Sequence, residues 1–67
     1  MNKPVIAYDS RGTTGNIYWI LGMAQKLLRR ANRQTESDKM WERVQNAHSY
    51  KEALEIIGEY VTLVDMA

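Results

Sequence analysis

Apolar residues recur every three or four positions between residues 17 and 31. The series is Ile17, Ile20, Leu21, Ala24, Leu27, Leu28 and Ala31. This spacing is that of one face of an α-helix, and it predicts a first helix over residues 16–33. Because such a stripe is stable in water only when other elements cover it, the rest of the chain must provide faces that pack on this helix.

Capping signals predict two further helices. Thr35 begins a Thr-x-x-Asp signal, which predicts a second helix over residues 36–46. Ser49 and Glu52 form a capping box, in which the Ser49 hydroxyl accepts from Glu52 N–H and the Glu52 carboxylate accepts from Ser49 N–H. This box predicts a third helix over residues 50–63.

The residues before the first helix predict an extended arm. Residues 4–8 favour a β-strand but cannot satisfy their backbone groups alone. They must pair with the β-branched tail at residues 61–64 or with the same segment of another subunit. We therefore expect a single domain that is all-α in the main, with three short helices and an N-terminal extended arm or short strand. Residues 1–15 form the arm and the loop that follows it.

The chain has 67 residues and no cysteine. A domain of this size lies near the lower limit for folding without a disulfide or a metal, so we expect a homodimer or a larger oligomer. The lack of cysteine excludes a disulfide framework and a thiolate metal site, and it favours the cytosol. Since no apolar run is long enough for a membrane span and no signal peptide is recognisable, we expect a cytoplasmic protein.

His48 is the single histidine, and the formal net charge is +1. This composition provides no nucleophile–base pair and no usual metal ligand set, so we expect no enzyme, no cofactor and no metal. A net charge this close to zero gives no overall attraction to nucleic acid or to a membrane. The basic stripe of Lys26, Arg29, Arg30 and Arg33 complements the dipole at the end of the first helix, which leaves a nucleic-acid-binding module as the weakest alternative.

The loop from Gly12 to Asn16 is a candidate anion site, because it leads into a helix N-terminus with unpaired N–H groups. The candidate anion-binding residues are Arg11, Thr13, Thr14, Asn16, Arg29 and Arg30. The loop lacks the Gly-Lys-Ser/Thr of a P-loop and the strand–helix–strand unit of a dinucleotide fold. A capped helix start that needs no ligand is the favoured interpretation.

Large apolar side chains lie beside the main stripe of the first helix. Tyr18, Trp19 and Met23 are on its flank, and Trp41 has a similar place on the second helix. These residue types are favoured at the centres of interfaces, so the four are candidate partner-binding residues. Recruitment of the same side chains by a small core is the equal alternative.

Two glycines, Gly22 and Gly58, lie inside predicted helices. Each costs about 1 kcal/mol relative to alanine, which close approach of another backbone would offset. A crossing of the first and third helices is the favoured interpretation, and a subunit interface is the alternative.

Four segments carry a resemblance to known sequences. Residues 15–22 read GNIYWILG, residues 28–31 read LRRA, residues 40–44 read MWERV and residues 49–61 read SYKEALEIIGEYV. In this order they resemble a group of short uncharacterised proteins of bacteria, prophages and phages. The resemblance carries no activity, but it implies a mobile element, in which small inhibitors of host defence occur. We expect a non-catalytic binding protein acting through protein–protein contact; the alternative is a binder or sponge of an anionic small molecule such as a nucleotide signal.

Overall fold

The computed structural model describes residues 3–67. In chain order it contains strand β1 (Val5–Tyr8), a 3₁₀ turn (Thr13–Gly15), helix α1 (Ile17–Arg30), helix α2 (Gln34–Gln45), helix α3 (Tyr50–Tyr60) and strand β2 (Thr62–Asp65). A mainly helical fold with three helices and an N-terminal strand agrees with the prediction. Residues 1 and 2 of the predicted arm lie outside the described residues.

The end of the third helix is the main correction to the predicted fold. Helix α3 ends at Tyr60 instead of continuing to residue 63, because Val61 is extended, with φ −137° and ψ 161°. The β-branched residues after it form β2, which pairs in parallel with β1 through a bond from Thr62 N–H to Pro4 O at 2.8 Å. The arm therefore pairs with the tail of its own chain, and the fold contains a small sheet as well as helices.

Helix α1 also ends earlier than predicted, at Arg30 instead of residue 33. Asn32 adopts a left-handed conformation with φ 60°. Arg33 N–H donates to Leu28 O at 2.8 Å, and Asn32 N–H donates to Arg29 O at 3.1 Å. This is a Schellman motif, in which asparagine takes the place that glycine usually has.

Helix α2 begins at Gln34, two residues before the predicted start at residue 36. The Arg33 carbonyl accepts from Ser37 N–H at 3.0 Å, so the first helical turn forms directly after the Schellman motif. Thr35 therefore lies inside the helix, and the predicted Thr-x-x-Asp cap is wrong. A bond from Gln34 Nε2 to Asp38 Oδ1 at 3.0 Å supports the first turns instead.

The hydrophobic core lies between the three helices and one face of the sheet. Helix α1 contacts β1, helix α3 contacts β2, and α2 packs against both helices. Ile6 and Tyr8 point from β1 into this core, whereas Val5 and Ala7 are exposed on the opposite face. The largest fully buried side chains are those of Ile20, Leu28, Met40, Ile57, Val61 and Ser37.

Candidate functional site

The loop between β1 and α1 is held by hydrogen bonds within the chain. Asn16 Oδ1 caps α1 by accepting from Tyr18 N–H at 2.8 Å, as the sequence predicted. Thr14 Oγ1 accepts from Asp9 N–H at 2.8 Å. Gly15 lies so close to the preceding backbone that a Cβ there would stand 2.6 Å from Asp9 O. The loop is a compact turn whose polar groups hold one another.

The six candidate anion-binding residues are not brought together. Arg11, Thr13, Thr14 and Asn16 lie at the loop, and Arg29 and Arg30 lie at the far end of α1. Thirteen helical steps separate Asn16 from Arg29, which is about 20 Å along the axis. The Tyr18 N–H that an anion would use is already bonded to Asn16. No small anion can contact both groups at once.

A cleft of about 300 Å³ opens where α1 begins, α2 ends and α3 begins. Ile17, Leu21, Val44 and Ala53 provide apolar walls. The more polar lining residues include Tyr18, Gln45, His48 and Tyr50. Within the described part of the chain, the lining contains no Asp, Glu, Lys or Arg. The cleft therefore suits an uncharged apolar or aromatic group.

Tyr50 joins the cleft to the loop. Its hydroxyl donates to the carbonyl oxygen of Gly15, 35 residues earlier in the chain. The capping box that positions Tyr50 differs from the prediction in one bond. Ser49 Oγ accepts from Glu52 N–H at 3.1 Å as expected, but the Glu52 carboxylate accepts from His48 N–H at 3.3 Å rather than from Ser49 N–H.

The four candidate partner-binding residues divide into two groups. Tyr18 is 72% exposed and lines the cleft. Trp41 is 47% exposed. It lies on the same side of α2 as Gln45, which is one turn further along and also lines the cleft. Trp19 lies about 100° around α1 from Tyr18, and Met23 lies one turn after Trp19. Trp19 is 38% exposed and Met23 is partly buried against the core. Tyr18 therefore lines the cleft and Trp41 lies one helical turn from its lining, whereas Trp19 and Met23 lie on a different side of α1.

The favoured interpretation of the helical glycines is wrong. A Cβ added at Gly22 or at Gly58 would meet nothing within 4 Å, so neither glycine permits a helix crossing within the chain. Gly22 lies one turn after Tyr18 on the exposed side of α1.

A second concave surface, of about 630 Å³, lies between α2 and α3. Arg43 and Glu59 form a two-bond ion pair across it, at 2.9 and 2.8 Å, and Arg43 also lies over the ring of Tyr60. The hydrogen bonds from Arg43 lower the pKa of the Glu59 carboxyl, and those to Glu59 and Tyr60 raise the pKa of Arg43. We call this surface the charged groove, since Glu42, Glu52 and Glu55 also line it.

The sequence did not predict the cleft residues Gln45, His48 and Tyr50 as members of a site. Their one recognisable signal is the Ser49 capping box, which places an aromatic residue at the first position of α3. These residues come close to Ile17 and Tyr18 only through the packing of the three helices, which no local sequence pattern predicts.

The described part of the chain contains neither a cluster suited to a metal ion nor a helix that could cross a membrane. Residues 3–67 contain no group of three or more His, Asp or Glu side chains arranged to hold a metal ion. No helix among them has the length and apolar character needed to cross a membrane.

Comparisons with protein-family models, with curated proteins and with solved structures find no match to this chain. The resemblance to short phage and prophage proteins stays a prediction.

Proposed function

We propose that this protein is a non-catalytic binding protein that acts through protein–protein contact. The observation that supports this most directly is the uncharged cleft of about 300 Å³, with exposed Tyr18 in its lining and exposed Trp41 one helical turn before the lining residue Gln45. We call the cleft, Tyr18, Gly22 and Trp41 together the cleft face. Charged side chains are depleted and aromatic ones enriched at the centres of protein interfaces, and the cleft face has this composition.

The proposed contact is an apolar side chain of the partner held in the cleft. Tyr18 and Trp41 would pack directly against that side chain and form the centre of the contact. Truncation of a central aromatic residue in an interface commonly costs about 2 kcal/mol or more, which is roughly 30-fold in affinity. Trp19 and Met23 lie on a different side of α1, so we assign them to the edge of the contact or to a different one.

Affinity capture with matched variants tests this proposal. The wild-type chain would be used to capture proteins from a bacterial lysate, and the captured protein would then be titrated against Tyr18→Ala, Trp41→Ala and Glu55→Ala. We expect the first two changes to weaken binding by roughly tenfold or more. Glu55 lies in the charged groove and serves as the control. Equal affinity of all three variants would contradict the assignment of the cleft face.

The resemblance to phage and prophage proteins suggests one form that such binding would take. A small protein of a mobile element could inhibit a host defence factor by covering its surface. In that case the captured protein is a defence component, and its activity falls as the chain is added. The Trp41→Ala variant should then inhibit less in proportion to its weaker binding.

Binding of an anionic small molecule such as a nucleotide signal is the second candidate. One observation favours it: the first turns of α1 and α3 both line the cleft, together with the rings of Tyr18 and Tyr50. A planar base would suit the apolar walls, and a phosphate is favoured near helix N-termini. A nucleotide present at 100 times its Kd should stabilise the fold by about 2.7 kcal/mol. A panel of linear and cyclic nucleotides that leaves the melting temperature unchanged would count against this candidate.

A further inference from the structure

The outer face of the sheet, turned away from the helices, is apolar. Val5 and Ala7 of β1 lie beside Thr62 and Val64 of β2 on this face, and Met66 follows them. Val5 is 62% exposed, Val64 40% and Met66 68%. In the described chain none of these five positions carries a charge.

A parallel pair of strands with one open apolar face is an unusual arrangement. Parallel sheets occur almost only where both faces are covered, and a two-stranded sheet is marginal by itself. Here Ile6 and Tyr8 are buried on the inner face, where α1 and α3 contact the strands. Within residues 3–67, no helix or strand is available to cover the outer face.

We propose that a second copy of this chain covers the outer face, with the two sheets stacked about 10 Å apart. The helices of both copies then lie on the outside of the pair, because α1 and α3 contact the inner faces of the strands. A two-fold axis places the same face of each copy opposite the other. Because this face is uncharged, the contact contains no pair of like charges. This dimer uses a different surface from the cleft face, and it does not depend on the proposed function.

The charges at the two ends of the strands determine the direction of stacking. Lys3 precedes β1 at one end, where its Nζ lies 3.5 Å from Gly58 O. Glu59 is near Lys3 but is ion-paired with Arg43, so these three residues leave this end net basic. Asp9 and Asp65 lie at the other end with Arg11, which leaves that end net acidic. When the strands of the two copies run in opposite directions, the basic end of each sheet faces the acidic end of the other. The same direction would bring like charges together.

The size of the face sets the expected strength. Two strands of four residues give a contact below the roughly 1,200 Å² of total buried area that stable complexes usually have. We therefore expect a dimer that dissociates in roughly the micromolar range. Its formation should be visible by sedimentation between low and high micromolar concentrations of the full chain.

The test compares four variants with the wild type by sedimentation and by melting at low concentration. Val64→Lys and Met66→Lys each place a lysine on the outer face of both copies, so that like charges meet in the dimer. We expect dimerisation to weaken at least about 100-fold. Both residues are exposed, so the melting temperature of the dilute monomer should stay near the wild-type value. Gln45→Lys places the same charge beside the cleft and should leave the dimer unchanged. In addition, Lys3→Glu should weaken the dimer, with a smaller effect at high salt.

Three results would overturn this inference. They are a wild-type chain that stays monomeric at high micromolar concentration, a dimer that persists in both lysine variants of the sheet, and a dimer that only Gln45→Lys dissociates. The last result would identify the cleft face as the self-association surface. None of the three is a failure of partner binding, which is measured separately with Tyr18→Ala and Trp41→Ala.

Discussion

The cleft and the charged groove both have α2 as one wall, yet they differ in size and chemistry. The groove is about twice as large, at about 630 Å³ against about 300 Å³. Its walls carry an exposed ion pair and further carboxylates, all of which water solvates well. The walls of the cleft are apolar, so a partner that removes them from water binds with a favourable change in free energy. The cleft is therefore the better candidate for binding although it is smaller, because the free energy of removing its walls from water matters more than its volume.

The two surfaces also differ in how the chain supports them. The cleft depends on contacts between distant residues, such as the bond from Tyr50 to Gly15. The charged groove depends on one ion pair between neighbouring helices, formed by Arg43 and Glu59. Substitutions at the cleft should therefore change stability more than substitutions at the groove.

Gly15→Ala should have the largest effect. The new Cβ would stand 2.6 Å from Asp9 O and 2.9 Å from Ser10 Cα, so the backbone of the loop must move. We expect a loss of about 2 kcal/mol, which lowers the melting temperature by roughly 8–16 °C for a domain of this size. An unchanged melting temperature would show that the loop does not support the cleft.

Tyr50→Phe should have a smaller effect of the same sign. The change removes the hydroxyl that donates to Gly15 O and leaves the ring in place. We expect a loss of about 1 kcal/mol. Thermal melting measures this loss, and hydrogen exchange at the amides of residues 12–16 should speed up with it. Exchange that increases equally in α2 would indicate global destabilisation instead.

Gly22→Ala should have an effect of similar size and opposite sign. The added methyl group meets nothing within 4 Å, and alanine favours the helix by about 1 kcal/mol. The melting temperature of the dilute protein should rise by roughly 4–8 °C. A fall would mean that another backbone approaches Gly22, which would restore the interpretation as a close contact.

Glu59→Gln should have the smallest effect, and the effect should depend on pH. The pKa of Glu59 is lowered in the folded protein, mainly by its hydrogen bonds from Arg43. Its contribution to stability is therefore present above the ordinary pKa of an unfolded glutamate and is lost as the pH falls through the lower folded pKa. Wild type should melt slightly higher than the variant at pH 7, and the two should converge under acid conditions. A constant difference would assign the effect to packing.

Local signals predicted the helices better than their ends. The apolar stripe located α1, and the Asn16 and Ser49 caps located the starts of α1 and α3. The end of α1 at Asn32 could not be predicted, because asparagine adopts the left-handed conformation only where a turn requires it. For this reason the predicted end of α1 and the predicted start of α2 were both wrong.

Burial could not be predicted from the periodicity of α2. Ser37 is completely buried, although its hydroxyl has no hydrogen-bond partner among the described residues. Trp41 is about half exposed, whereas its residue type alone left an interface position and a core position as equal alternatives. Both outcomes depend on which side of α2 meets α1 and α3, and this is a property of the packing.

The amino-acid sequence by itself determined three helices, a β-prone arm and the two side-chain caps, because these depend on residues within a few positions of one another. Only the tertiary structure decided that residues 4–8 pair with residues 62–66, which ended α3 early and left an apolar sheet face open. It also decided that Tyr18, Tyr50 and Val44 meet around one cleft. The physical reason is that these contacts join distant parts of the chain, and they form only when the whole core has packed.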